Sequence, residues 1–148
     1  MQISKVKQNE LTVLAKNDKE CNETPWTLED YQNSYENSRH NIFVAKIGSE
    51  IIGCIVISKA LDEAEILQFW IKSSKQKCGY GTILLRQFIT MIRGHGITQI
   101  FLEVVTHNSV AIRLYSKVGF RQIGIRKNYY CINSQRYDAI VMQVNFYE

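Results

Sequence analysis

Between residues 76 and 82 the chain reads Gln76-Lys77-Cys78-Gly79-Tyr80-Gly81-Thr82, just ahead of a stretch with helical spacing. The first turn of a helix leaves about four backbone N–H groups without internal partners, and the aligned peptide dipoles make that end attractive to anions. Glycines at 79 and 81 remove side chains that would hold a phosphate off those amides, and Lys75 and Lys77 add positive charge. The chemistry implied is a pyrophosphate cradle. An ordinary tight turn before a helix has the same look. Rival phosphate loops fit poorly. There is no Gly-Lys-Ser/Thr pair for a nucleoside triphosphate, and the position three beyond Gly81 is Leu84 rather than the third glycine of a dinucleotide fingerprint.

Downstream, Glu103 stands inside Ile100-Phe101-Leu102-Glu103-Val104-Val105. A carboxylate among so many apolar neighbours has a raised pKa unless it is paired, which suits a general base; on an alternating strand it could equally face solvent. Tyr115 falls on the apolar face of a helix, where a core aromatic with one satisfied hydroxyl is the simplest account of the pattern. Asn108, just ahead of that helix, reads as an N-cap. His40, His95 and His107 lack metal-ligand spacing, and no Cys-x-x-Cys pair occurs, so no metal is expected. Cys21, Cys54, Cys78 and Cys131 are expected as small buried hydrophobes in a reducing compartment.

The elements that must position these residues are legible from periodicity. A short strand is expected near Gln2–Val6 and a helix between Asn9 and Glu20. Pro25-Trp26-Thr27 reads as a loop entering a helix, with Thr27 as N-cap and Asp30 three residues on. Ile42–Ile47 and Ile51–Ile57, separated by Gly48-Ser49-Glu50, read as a hairpin, and Glu65–Ile71 as a third strand. Thr82–Arg93 is helical, with Leu84, Phe88 and Ile92 on one stripe and Gly94 placed to end it in a left-handed conformation. Ile100–Val105 is a strand. Ser109–Val118 is a helix with Ala111, Leu114, Tyr115 and Val118 on one face, closed by Gly119-Phe120 as a Schellman stop. Closing strands near Arg121–Ile125 and Ala139–Val144 flank a loop containing Tyr129 and Tyr130.

The 148 residues suit one domain with a real core, and no repeat, linker or low-complexity stretch divides them. No apolar run reaches the roughly 18–20 residues of a membrane span, and the opening residues lack a signal-peptide succession. The expectation is a protein of the cytoplasm, off the membrane. A formal net charge of +4 suits a polyanionic ligand, but the longest basic cluster is Arg126-Lys127 and no RNA-binding or zinc-finger signature occurs. Direct nucleic-acid recognition is not expected.

Taken together the motifs are recognisable. Gln76-x-x-Gly79-x-Gly81 resembles the Gln/Arg-x-x-Gly-x-Gly/Ala signature of the GNAT superfamily of acyl-CoA N-acetyltransferases. Leu102-Glu103-Val104, Asn108, Ala111, Leu114-Tyr115 and Gly119-Phe120 are similar to that superfamily's next block. Arg126-Lys127-Asn128-Tyr129-Tyr130 and Asp138-Ala139-Ile140-Val141-Met142, with Pro25-Trp26-Thr27, resemble one branch, the bacterial ribosomal-protein alanine N-acetyltransferases. The chain departs from the family pattern at Lys72-Ser73, where Asp-Pro is common, at Val105, where Arg is, and at Trp70, where a small residue is usual.

The resemblance implies an α/β (α+β) fold: a mixed, mostly antiparallel sheet of about six to seven strands flanked by about four helices. It implies acetyl-CoA as co-substrate, held by the cradle residues, by backbone groups of Phe69, Trp70 and Ile71, and by Asn108. Glu103 becomes the expected general base and Tyr115 the general acid toward the leaving thiolate, with amine and acetyl-CoA meeting directly, without an acyl-enzyme. Trp26, Tyr129 and Tyr130 are candidates for the acceptor groove, although as exposed aromatics they could equally cover the core. The expected acceptor is a protein N-terminus, an alanine of a small-subunit ribosomal protein. The rivals are a small-molecule amine acetyltransferase and a silent acyl-CoA-binding module.

Overall fold

The structure, a computed structural model, describes residues 1–146. Among these residues the chain forms β1 (Gln2–Lys5), α1 (Leu11–Cys21), α2 (Leu28–Glu36), β2 (His40–Ile47), β3 (Glu50–Ala60) and β4 (Glu63–Ile71). It continues with α3 (Tyr80–Arg93), β5 (Gln99–Val105), α4 (Ser109–Lys117), β6 (Arg121–Ile132) and β7 (Gln135–Asn145). The strands make one sheet in the order β1-β2-β3-β4-β5-β7-β6. Only β4 and β5 run parallel, joined by the α3 crossover; every other pair is antiparallel. This is the expected mixed, mostly antiparallel sheet with four α-helices.

β3 explains why the apolar run Ile51–Ile57 shows no alternation. Helices cover both of its faces, so every position is buried. Ile52, Ile55 and Ile57 pack with Leu84, Leu85, Phe88, Ile100, Leu102 and Tyr115 on the α3–α4 side. Cys54 and Val56 join Leu11, Leu14, Tyr31, Val44 and Trp70 on the α1–α2 side. Thr27 caps α2 reciprocally: its Oγ1 accepts from the Asp30 N–H at 3.1 Å, and Asp30 Oδ2 accepts from the Thr27 N–H at 2.8 Å. Gly119 (φ +110°) closes α4 as a Schellman stop, with the Phe120 N–H donating to the Tyr115 carbonyl at 3.0 Å.

Four expectations need correcting. Gly94 is right-handed (φ −62°); α3 tightens past it, and the left-handed residue is Gly96 (φ +85°), whose neighbour Ile97 donates back to the Ile92 carbonyl at 3.4 Å. The turn between β2 and β3 is Gly48-Ser49 alone, because Glu50 already pairs with Ile47. Tyr129 and Tyr130 lie within β6 rather than in a loop: the ladder with β7 breaks after Arg126 and resumes at Tyr130, and the chain turns later, at Asn133-Ser134. Of the cysteines only Cys54 is fully buried, while Cys78 and Cys131 are exposed, since the turn and edge strand carrying them face solvent.

Candidate active site

The sheet opens where β4 meets β5. Their ladder runs from Glu63–Gln99 to Ile66–Leu102 and stops. Past it, β4 continues to Ile71 and β5 to Val105 without pairing to each other. The cause lies in the β3–β4 register. Val56 pairs with Gln68 and Ile57 with Ile66, so Leu67 is an extra residue that bends β4 away. The edges left behind can pair with an extended ligand as a strand would.

At the end of β4, the Gln76 side chain donates to the Ile71 carbonyl at 2.9 Å and pins the following loop. Lys77 (φ +60°) and Gly79 (φ +86°) turn the chain into α3. The N–H groups of Tyr80, Gly81 and Thr82 form its first turn and lack intrahelical acceptors. The two glycines do different work. A Cβ at Gly79 would meet nothing within 4 Å, so the cradle is open there and glycine serves the left-handed turn. At Gly81 a Cβ would lie 3.1 Å from Leu114 Cδ2, so glycine there lets α4 approach α3.

Glu103 sits one residue past the last rung. Ile66 and Leu102 face the α3–α4 core, so by alternation Glu65 and Glu103 share the opposite face. The Glu103 side chain is 15% exposed; Arg126 Nε lies 3.4 Å from its Oε2, an ion pair without hydrogen-bond geometry. That oxygen is buried and has no hydrogen-bond partner among the described residues. Tyr130 donates to the Glu103 carbonyl at 3.1 Å. Burial and the Glu103 carboxylate beside them push the Tyr129 and Tyr130 phenols up. Burial, then Glu103, also raises Glu65, against a smaller opposing effect of Arg126.

Tyr115 is buried on α4 between Phe69 (centroids 6.0 Å apart) and Phe120 (5.8 Å). No described residue hydrogen-bonds its hydroxyl, and burial holds the phenol well above its ordinary value. Asn108 caps α4, its side chain accepting from the Ala111 N–H at 3.1 Å.

These parts line one cleft of about 680 Å³. It brings together Trp26, Phe69, Trp70, Ile71, Gln76, Lys77, Gly79, Gly81, Thr82, Glu103, Asn108, Tyr115, Tyr129 and Tyr130; Cys78 and Tyr80 are not among the lining residues. Trp70 contributes backbone, since its ring is buried in the α1–α2 core.

Sequence reasoning missed the group that builds the far wall. Asp18 on α1 is fully buried. Its carboxylate accepts from the Tyr31 hydroxyl at 2.5 Å, Asn22 Nδ2 at 2.6 Å, the Trp26 N–H at 3.1 Å and Gln68 Nε2 at 3.0 and 3.1 Å. Gln68 also donates to the Thr24 carbonyl at 3.1 Å, and Trp70 Nε1 to the Tyr31 hydroxyl at 2.9 Å. One carboxylate thus ties the Asn22–Trp26 loop to the bulged part of β4. The signal was present, because Leu11, Leu14 and Asp18 fall on one helical stripe. Trp70, the departure from the small family residue, is accommodated by this network. Glu23 Oε1 also reaches His107 Nε2 at 2.6 Å, joining that loop to the segment after β5.

The profile of the acetyltransferase (GNAT) family matches residues 11–120. Over 141 residues, 95% of each chain, the sequence is 31% identical to the ribosomal protein bS18-alanine N-acetyltransferase of Haemophilus influenzae. The fold superposes on the crystal structure of the ribosomal-protein-S18-alanine N-acetyltransferase from Escherichia coli with a TM-score of 0.91. Identity is 26%, over 99% of this chain and 94% of that one. Arabidopsis thaliana NAA60 in complex with acetyl-CoA, at 19% identity, shares the fold with a TM-score of 0.85 over 97% of each chain.

Tyr31→Phe removes the hydroxyl that donates to Asp18 and accepts from Trp70, stranding the Trp70 indole N–H and leaving the buried Asp18 carboxylate one donor short. The expected cost is about 1–3 kcal/mol, read as a lower urea midpoint with an unchanged slope.

Proposed function

The chain belongs to the acetyltransferase (GNAT) family and is an N-acetyltransferase, and on that premise we propose that it acetylates the N-terminal α-amino group of a protein. The acceptor proposed is the N-terminal alanine of a small-subunit ribosomal protein, as the names of its relatives suggest, with the 148 residues working as one catalytic domain. The observation that carries the reading is the buried Oε2 of Glu103, which accepts no hydrogen bond from the described residues, at the mouth of the open β4–β5 seam.

Bound acetyl-CoA supplies an activated acyl carbonyl. The residues present fit it: an open left-handed turn at Gly79, free first-turn amides on α3 with Lys75 and Lys77 nearby, and an unpaired β4 edge alongside. Gln76, by holding the Ile71 carbonyl, keeps that edge and the cradle in fixed relation. A backbone N–H of the β4 edge, at Ile71, is proposed to polarise the carbonyl.

A peptide α-amine ordinarily titrates at about pH 8, so a modest base suffices. Glu103 Oε2 takes the amine's proton, while Arg126 supplies the counter-charge a buried carboxylate needs. Tyr115 stays protonated because burial raises its phenol, so its role is to donate a hydrogen bond to the leaving sulfur. Cys21 lines the cleft, but burial, then Asp18 and Glu20, push its thiol up to about 12. It is a poor nucleophile at neutral pH, which supports direct attack without an acyl-enzyme. Trp26, Tyr129 and Tyr130 form the acceptor side. A second reading, a small polycationic amine as acceptor, draws on the two carboxylates Glu65 and Glu103 in one cleft.

Incubation with labelled acetyl-CoA and a panel of alanine-initial peptides, N-blocked lysine peptides and polyamines tests the acceptor: label is expected on the alanine amine, and label only on polyamines rejects the proposal. Glu103→Gln is expected to lower kcat about 10²–10⁴-fold, with the largest deficit at low pH and the acetyl-CoA KM nearly unchanged. Gly79→Glu puts bulk and negative charge into the cradle at a left-handed position; titration calorimetry is expected to show acetyl-CoA binding lost in a chain whose circular dichroism is retained.

A further inference from the structure

Past their last rung, at Ile66 and Leu102, β4 and β5 diverge, and each splayed end is fixed from its own side. The end of α1 and the loop after it are tied to β4 and the turn beyond it at two points. Gln68 Nε2 donates to the Thr24 carbonyl at 3.1 Å, and Ser73 Oγ to the Glu20 carbonyl at 3.5 Å. The turn after β5 is held separately: the Thr106 N–H donates to the Asp138 carbonyl at 3.1 Å, and the Asn108 N–H to the Val105 carbonyl at 3.0 Å.

One polar contact crosses between these two rims. His107 Nε2 lies 2.6 Å from Glu23 Oε1, and the imidazole packs edge-on against the Tyr137 ring, centroids 4.8 Å apart. Among the described residues no other hydrogen bond or ion pair joins the two segments. Glu23 stands between Asn22 and Thr24, and His107 directly before Asn108, and all three of these neighbours line the cleft. The contact therefore closes a ring of bonds. It runs along β4 to Ser73, over to Glu20 and Glu23, across to His107, and back down β5 to the Ile66–Leu102 rung. The unpaired stretch Phe69–Ile71 is part of its perimeter, so an arm laid along that edge is fenced by the Glu23–His107 side.

That side is the weak one. The His107 and Glu23 side chains are 42% and 47% exposed, and a pair so open to water contributes little to stability, so parting it is cheap. Neither group lines the cleft or takes part in the chemistry above. We propose that Glu23 and His107 form a clasp across the wide end of the seam, which parts to admit the acyl-CoA arm and shuts behind it. The proposal rests on the seating of that arm in the seam given above. Breaking the clasp raises the open fraction equally with and without ligand, so entry and exit quicken together while affinity holds.

The test follows coenzyme A by stopped-flow tryptophan fluorescence in wild type, Glu23→Gln, His107→Gln and the double variant. Each single variant is expected to raise the association and dissociation rate constants together, about two- to fivefold, with Kd within about twofold. The double variant is expected to go no further than either single one. Hydrogen exchange without ligand gives a second readout: Glu23→Gln is expected to quicken the amides of residues 106–109, on the opposite rim. Unchanged rates, weaker affinity at an unchanged association rate, additive effects, or unchanged exchange on the opposite rim each overturn the clasp and leave the cradle intact. Coenzyme A that fails to bind the wild type overturns both.

Discussion

A pair of parallel strands that pair for only part of their length governs this molecule. Had β4 and β5 stayed together beyond Ile66 and Leu102, the backbone groups of Leu67–Ile71 would be spent inside the sheet. The single extra residue at Leu67 prevents that. It bends β4 while β3 holds its other edge, so the opening costs one irregularity rather than a lost strand. The groups that line the cleft then fall into place by geometry. The chain reverses after β4 into a helix whose first turn lines the same cleft as the open edge, and the alternation of β5 turns Glu103 toward one face while Leu102 anchors the other.

The second constraint is the buried carboxylate of Asp18. A fully buried carboxyl is tolerated in that position because both its oxygens are used, by the Tyr31 hydroxyl, two side-chain amides and a main-chain N–H. Asp18 lies on α1 and its partners on the loop after it, on α2 and on β4, so the interaction couples four segments that hydrophobic packing alone would leave free to slide. The wall opposite the seam is therefore held by directed bonds. Trp70 belongs to the same arrangement: its indole N–H finds the Tyr31 oxygen, which is why a large residue is tolerated where a small one is usual in the family.

Much of this was legible in the residues. The glycine-spaced turn, the two amphipathic helices, the Thr27 cap and the Gly119-Phe120 stop are local signals, and local physics decides them. The order of strands and helices followed, and with it the sheet. What did not show was set by contacts distant in sequence. The Leu67 bulge depends on β3. The extension of β6 through Tyr129 and Tyr130 depends on β7 resuming its ladder after an interruption. Asp18 sits in the charged stretch Lys16-Asn17-Asp18-Lys19-Glu20, so its place on the Leu11–Leu14 stripe was hidden by its chemistry. Glu65 and Arg126 acquired meaning only once register placed them with Glu103.

The contact between Gly81 and Leu114 carries a mechanical consequence. α3 offers the amides at one end of the cleft, and α4 carries Tyr115 at the other, immediately after Leu114. The two helices touch where a single hydrogen atom takes the place of a side chain. That spot works as a shim, the thinnest available, between the first turn of α3 and the helix that carries Tyr115. An added Cβ would lie 3.1 Å from the Leu114 Cδ2 methyl, so any larger residue makes Leu114 give way beside Tyr115, and a change in the first turn of α3 is felt at once on α4.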